Sequence, residues 1–510
     1  MKKRSSWIVG ILILLLTLTA CGGNTASNNK KENATPSNET TAPAESEETV
    51  NLTMTYMVLN NPTDIDLIEQ ELNKLTKEKI NATVDLVPIQ LSNYNQQINL
   101  MMTSKEKMDL VMTGNLGSIL TYAQQAPKGQ LLAIDELLKE HGQGVLAALG
   151  DYATVATVGG KLYGVPTVRD LAADRGWAVR KDMVEKYNIE LAAVQTLDDL
   201  EQQLAILKEG ESIEPFGLGS GVTFVQAFYL PEGDALGDDF GVLLDMQDPE
   251  LKVINYYETE EYKQLVTKAR AWFQAGFIPK DIATTKDSNE SLIKSGKILS
   301  FSATLKPGIN SQMTNGAGLD MVTTPLTPVK ADTQKVTSFM WGIPAHSEHA
   351  DKAMQLLNLM YSDEAVYNLL TWGIEGKHYV KVDDTFINFP EGVDATNSGY
   401  NQNMGYAMGN QFLSYVWEGN NPNLWEETRE YNKNAIPSQA LGFMWDSSPV
   451  KTEYAAVVNV REQYRAALEN GLVDPEKTLP EFLSKLKSAG IDKIIAEKQK
   501  QLDEWAQANK

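Results

Sequence analysis

The tightest constraint on this chain is a scarcity: its 510 residues include one cysteine, Cys21. No intramolecular disulfide can form. With four histidines and no thiol after residue 21, Cys/His metal sites and cysteine nucleophiles are excluded as well. Stability must come from buried apolar surface, and about 460 residues of folded sequence exceed what one core holds, so two domains are expected. Their pattern is α/β. Leu52, Met54 and Tyr56 alternate with Asn51, Thr53 and Thr55, the period of a strand. Asp64 is placed to cap a helix whose apolar face is Ile65, Ile68, Leu72 and Leu75. Residues 83–89 read as a second strand, 94–102 as a helix and 108–112 as a third strand. Such alternation predicts a largely parallel sheet, with ligand beyond the carboxyl ends of its strands. Asn60 and Asn61, after the first strand, and Asn115, after the third, are therefore candidate ligand contacts.

Tyr262, Leu265, Val266, Ala269, Trp272 and Phe273 form a helical stripe that Gly276 and Pro279 end, and Ile491, Ile494, Ile495, Leu502 and Trp505 form another. Such stripes predict core. At the other end, Lys2, Lys3 and Arg4 precede an apolar run at 7–18, shorter than the roughly 20 residues that span a bilayer. This is the pattern of an export signal. Leu18-Thr19-Ala20-Cys21 resembles the bacterial lipobox, which implies a lipoprotein whose first mature residue is a lipidated (palmitate-bearing) Cys21. The polar residues that follow have too little apolar surface to offset their ordering entropy and predict a flexible tether. The expected segments are a signal peptide at 1–20 and the lipidated cysteine with its tether at 21–50. The expected location is the outer face of the cytoplasmic membrane, with the lipid as the only membrane contact. Loss of Lys2, Lys3 and Arg4 takes the formal charge from −22 to −25. An acidic surface of that kind argues against nucleic acid as a partner.

Gly160-Lys161-Leu162-Tyr163-Gly164-Val165-Pro166-Thr167 resembles the stretch where family-1 extracellular solute-binding proteins of ABC transporters cross between lobes. Trp177-Ala178-Val179-Arg180-Lys181-Asp182 resembles their next strand and turn, and Thr196-Leu197-Asp198-Asp199-Leu200 the start of the following helix. Phe339-Met340-Trp341-Gly342-Ile343-Pro344 resembles the return crossing. Gly373-Ile374-Glu375-Gly376-Lys377-His378-Tyr379 and Ser448-Pro449-Val450-Lys451-Thr452-Glu453 are similar to a Bacillus/Paenibacillus-type lipoprotein subgroup associated with uptake of complex carbohydrates. The resemblance implies a periplasmic-binding-protein-like fold of two discontinuous α/β lobes with a ligand cleft between them. Lobe 1 is expected at 51–164 plus 297–343 and lobe 2 at 165–296 plus 344–510. It further implies a monomer that captures solute by hinge closure and delivers it to a membrane permease, with no catalysis, cofactor or metal.

Sugar clefts combine aromatic faces with planar polar groups. Trp341, Trp372, Trp417 and Trp445 stand beside Gly, Asn or Asp and are candidate stacking platforms. Tyr406, Asn410, Gln411 and Tyr415 form a polar-aromatic run suited to lining a cleft. Arg169, Asp170, Asp174 and Arg175 lie just after the first crossing. An Arg fork there suits a carboxylate or a hydroxyl-rich solute, and an ion-pair cluster between lobes is the alternative reading. An oligosaccharide is the expected cargo, and another small solute or a peptide is the alternative on the same fold. The 67 acidic residues leave a third reading, a surface glycoside hydrolase with a carboxylate pair.

Overall fold

Two hydrophobic cores organise residues 48–509, the part of the chain that the computed structural model describes. Cys21 and the signal and tether segments expected around it lie outside those residues. The opening pattern folds as its periodicity requires. The strand Val50–Val58 pairs in parallel with Ala82–Gln90 on one side and with Leu110–Thr113 on the other. Between them run the helices Ile65–Ile80 and Tyr94–Ser104. Thr53 and Thr55 are buried alongside Leu52, Met54 and Tyr56, because a mostly parallel sheet is covered on both faces. Asp64 holds the N-cap position without capping. Its carboxylate accepts instead from His378 Nε2 at 3.1 Å and Lys377 Nζ at 3.0 Å.

The two crossing motifs finish this sheet. Met340–Gly342 runs antiparallel beside Leu110–Thr113, and Val165–Pro166 lies beyond it. Gly164 permits that approach, since a Cβ there would stand 2.8 Å from the Trp341 carbonyl oxygen.

The second core surrounds a smaller antiparallel sheet, with Asp174–Arg180 between Ser300–Leu305 and Met321–Pro325. The helix Leu197–Gly210 starts on a capping box. Asp199 N donates to Thr196 Oγ1 at 3.1 Å, and Thr196 N to the Asp199 carboxylate at 3.0 Å. The helix Glu260–Ala275 buries Tyr262, Leu265, Val266, Ala269 and Trp272 and ends on left-handed Gly276. The Trp272 ring meets Phe216, Phe224, Phe228 and Phe277. The helices Lys451–Glu469, Pro475–Ala489 and Ile491–Ala508 close the core, the last burying Ile491, Ile494 and Leu502.

Packing divides the chain differently from the expected lobe boundaries. The helices Ala350–Ser362 and Glu364–Trp372, expected in lobe 2, bury into the first core. Ser300–Leu305, expected in lobe 1, pairs with the central strand of the second. The return crossing comes after Met321–Pro325, later than expected, and a third passage follows it. After Leu413 the chain moves away from the first core, and Ile436–Pro437 pairs with Lys330–Ala331 on its way to the second.

Candidate functional site

Three connections meet between the cores. In the first two, Ala173 and Lys330 exchange backbone hydrogen bonds of 2.9 and 3.0 Å. The third straps them: Asn432 accepts from Leu171 N at 2.8 Å and donates to the Arg169 carbonyl at 2.6 Å. The neighbouring Tyr431 hydroxyl donates to the Asp174 carboxylate.

Beside this junction open three hollows of about 380, 200 and 430 Å³. Gln334 lines all of them, so they adjoin around one side chain and are treated together as the cleft. One wall comes from residues 115–124 and 337–339 of the first lobe. Asn115 is fixed there. Its amide donates to Thr337 Oγ1 at 2.9 Å and accepts from Ala123 N at 3.1 Å. The opposite wall presents Arg175, Tyr229, Asp239, Arg461 and Glu469. Burial pushes the Glu469 carboxyl up to about 7, although Thr223 donates to it at 2.5 Å and Arg465 stands 3.6 Å away.

At the junction, Asp170 gathers three cations. Arg169 Nε lies 3.2 Å from one oxygen without a straight hydrogen bond, Lys335 Nζ 2.7 Å from the other, and Lys306 Nζ 4.0 Å away. Burial alone would raise the Asp170 carboxyl, but Arg169, Lys335 and Lys306 hold it at about 2. Burial and the Arg169 charge bring Lys335 down to about 8 despite its pairing. Beyond this cluster lies a separate hollow of about 160 Å³, lined by Trp372, Trp417, Trp425, Tyr415, Gln411 and Lys306. Trp372 and Trp417 meet edge to face at 5.4 Å, and Phe389 packs on Trp417 at 4.5 Å.

The sequence candidates separate accordingly. Asn115, Arg169, Arg175 and Trp445 line the cleft, and Trp372 and Trp417 the aromatic hollow. Arg169 is already engaged by Asp170 and by the Phe339 and Tyr406 rings at 5.5 and 5.7 Å. That places Tyr406 behind the cleft as a support for Arg169. Asn60 and Asn61 are exposed and line none of these hollows. Trp341 is corrected outright. It is fully buried in the first core, paired to Met112 and Val165, and its Nε1 donates to the Ala407 carbonyl at 2.9 Å. A neighbouring glycine suggested a loop, whereas Gly342 continues a strand.

Sequence reasoning missed Tyr229, Lys330, Gln334 and Lys335. The last three lie at 330–335, directly before the return motif. The hinge logic that singled out Arg169 after the first crossing applies equally there.

Residues 61–367 match the family described as bacterial extracellular solute-binding protein, and residues 439–507 a domain of unknown function, DUF3502. A carbohydrate ABC transporter substrate-binding protein of Streptococcus pneumoniae serotype 4 is 28% identical over 519 residues, covering 100% of this chain and 99% of the relative. Among solved structures, the N-glycan transport solute binding protein NgtS of Streptococcus pneumoniae superposes with a TM-score of 0.78 at 27% identity, covering 90% of this chain and 100% of the other. The same protein in complex with Man5GlcNAc superposes at 0.67, with 27% identity and coverage of 90% and 99%.

Proposed function

The chain belongs to the bacterial extracellular solute-binding proteins, and from that premise we propose that it captures an oligosaccharide outside the cell by closing its two lobes around it. The observation that carries this reading is the cleft itself. It lies where three connections cross, and it is walled on one side by fixed amides and hydroxyls and on the other by aromatic and charged groups. Hydroxyl-rich ligands need such planar polar partners, because an unpaired buried polar group costs about 1–3 kcal/mol. Trp445 beside the cleft, and Trp372 and Trp417 beyond Asp170, offer apolar faces for sugar rings.

Closure is the reading that suits a cleft lying between two lobes joined by crossing segments. Ligand that touches both walls favours the closed form by its differential affinity for it. Delivery to an ABC permease as a monomer, held at the outer face of the membrane by lipid on Cys21, completes the reading. Binding and release then suffice, with no acid, base or nucleophile.

The test is thermal denaturation of the purified chain with oligosaccharides, amino acids and peptides in parallel. A ligand at 100 times its dissociation constant adds about 2.7 kcal/mol of apparent stability. A stabilising oligosaccharide recovered chemically unchanged is the expected result. Stabilisation by a peptide alone would overturn the carbohydrate reading, and cleavage of the sugar would overturn binding without catalysis.

A further inference from the structure

Four cations line the first hollow: Arg169, Arg175, Lys330 and Lys335. Three are satisfied within the protein. Arg169 and Lys335 stand on Asp170, and Lys330 Nζ donates to the Leu230 and Gly233 carbonyls, both at 2.6 Å. Arg175 differs. Among the described residues its guanidinium makes no hydrogen bond and has no carboxylate within 4 Å, although burial disfavours its charge. Lys330 is near enough to add repulsion, and Asp332 offsets it only from a distance. Beside Arg175, lining the same two hollows, is Tyr229. Its ring is held edge-on by Tyr256 at 4.8 Å and forms part of the hollow's wall, while its hydroxyl is buried away from the hollow.

The carboxylates that line these hollows have partners other than Arg175: Asp174 has Tyr431, Asp332 the Lys335 amide, Asp238 Lys498, Asp239 Arg461 and Glu469 Thr223. The facing wall, residues 115–124 and 337–339, contains no Asp or Glu. The fork is thus left open to an anion carried by the ligand. We propose that Arg175 binds an anionic substituent of the oligosaccharide, so that the cleft selects an acidic glycan over its neutral counterpart. This rests on the oligosaccharide reading above and narrows it. A guanidinium donates two parallel hydrogen bonds to the paired oxygens of a carboxylate or a sulfate, which an ammonium matches only as a point charge. The site lies within a chain of formal charge −22, so local cationic character is not a by-product of composition.

The experiment is calorimetric titration of the full chain with three sets of probes. These are oligosaccharides bearing glucuronate, galacturonate or sialate, the same sugars after reduction of their carboxyl groups, and sulfated oligosaccharides. Charge-assisted bidentate binding predicts that an acidic sugar binds about 30-fold more tightly than its reduced form. Arg175→Ala should erase that preference while leaving the reduced sugar's affinity within about threefold. Arg175→Lys should restore only part of it. Preference for a sulfated over a carboxylated probe, lost in Arg175→Ala, supports the anion site and identifies sulfate as its occupant. Equal binding of acidic and reduced sugars overturns this inference and leaves the oligosaccharide reading standing. Because that comparison uses the unaltered chain, it decides even if Arg175→Ala fails to fold. Absence of binding by every sugar overturns both.

Discussion

The two walls of the cleft are built on different principles. The first-lobe wall, residues 115–124 and 337–339, continues from the inner strands of a five-stranded sheet and is neutral throughout. Its polar atoms are tied into the protein, as the Asn115 contacts to Thr337 and Ala123 show. The opposite wall and the adjoining junction are dense in charge. Asp170 holds Arg169 and Lys335, Arg461 pairs with Asp239, and Glu469 is buried beside Arg465. A neutral, fixed surface contributes similar contacts to any sugar of suitable shape. A charged surface in a partly buried setting discriminates, since each unmatched charge is costly there. The division assigns general affinity to one wall and choice of cargo to the other.

That division can be broken most sharply at Asp170. Asp170→Asn leaves Arg169 and Lys335 partly buried without their counter-charge and should destabilise the chain by about 3 kcal/mol in equilibrium denaturation. The pH dependence has a definite sign. The folded carboxyl sits at about 2, below its ordinary range. Its stabilisation is therefore complete above about pH 4 and is lost as pH falls through the folded value. The unaltered chain should weaken across that window, and Asp170→Asn should weaken less. Equal acid slopes would remove Asp170 from the junction's electrostatics. A smaller effect sharpens the comparison at the neutral wall. Asn115→Ala should cost about 1 kcal/mol of stability through its two lost hydrogen bonds. It should also lower the affinity of acidic and neutral sugars by the same factor. A change in charge preference on that substitution would mean that the two walls do not divide the work.

Much of the first lobe was legible in the sequence because its elements are periodic. The expected second strand at 83–89 is observed as Ala82–Gln90, and the helix at 94–102 as Tyr94–Ser104. The helix start at Thr196–Leu200, expected from the family resemblance, is observed with a Thr196/Asp199 capping box. What failed was information that no local pattern contains. Leu356, Leu357 and Met360 stand at helical spacing and are buried, but that spacing does not say which core buries them, so the third passage between cores was missed. Trp341 failed differently. Its flanking glycine reads as a loop signal, while the strand identity comes from pairing with residues far away in sequence. At the junction, Arg169 and Arg175 looked equivalent, six residues apart. Only the fold reveals that Asp170, Phe339 and Tyr406 engage the first, while among the described residues no carboxylate lies within 4 Å of the second.

The most direct test of capture by closure is an inter-lobe distance. Cys21 is the only cysteine, so Cys21→Ser provides a background without competing thiols. Leu100 in the first lobe and Ile206 in the second are 67% and 44% exposed and accept Leu100→Cys and Ile206→Cys for spin labelling. Pulsed electron resonance then reads the label separation with and without a saturating oligosaccharide. Closure predicts a shifted and narrower distance distribution on binding, reversed when the sugar is removed. An unchanged distribution at saturation would contradict closure around the ligand.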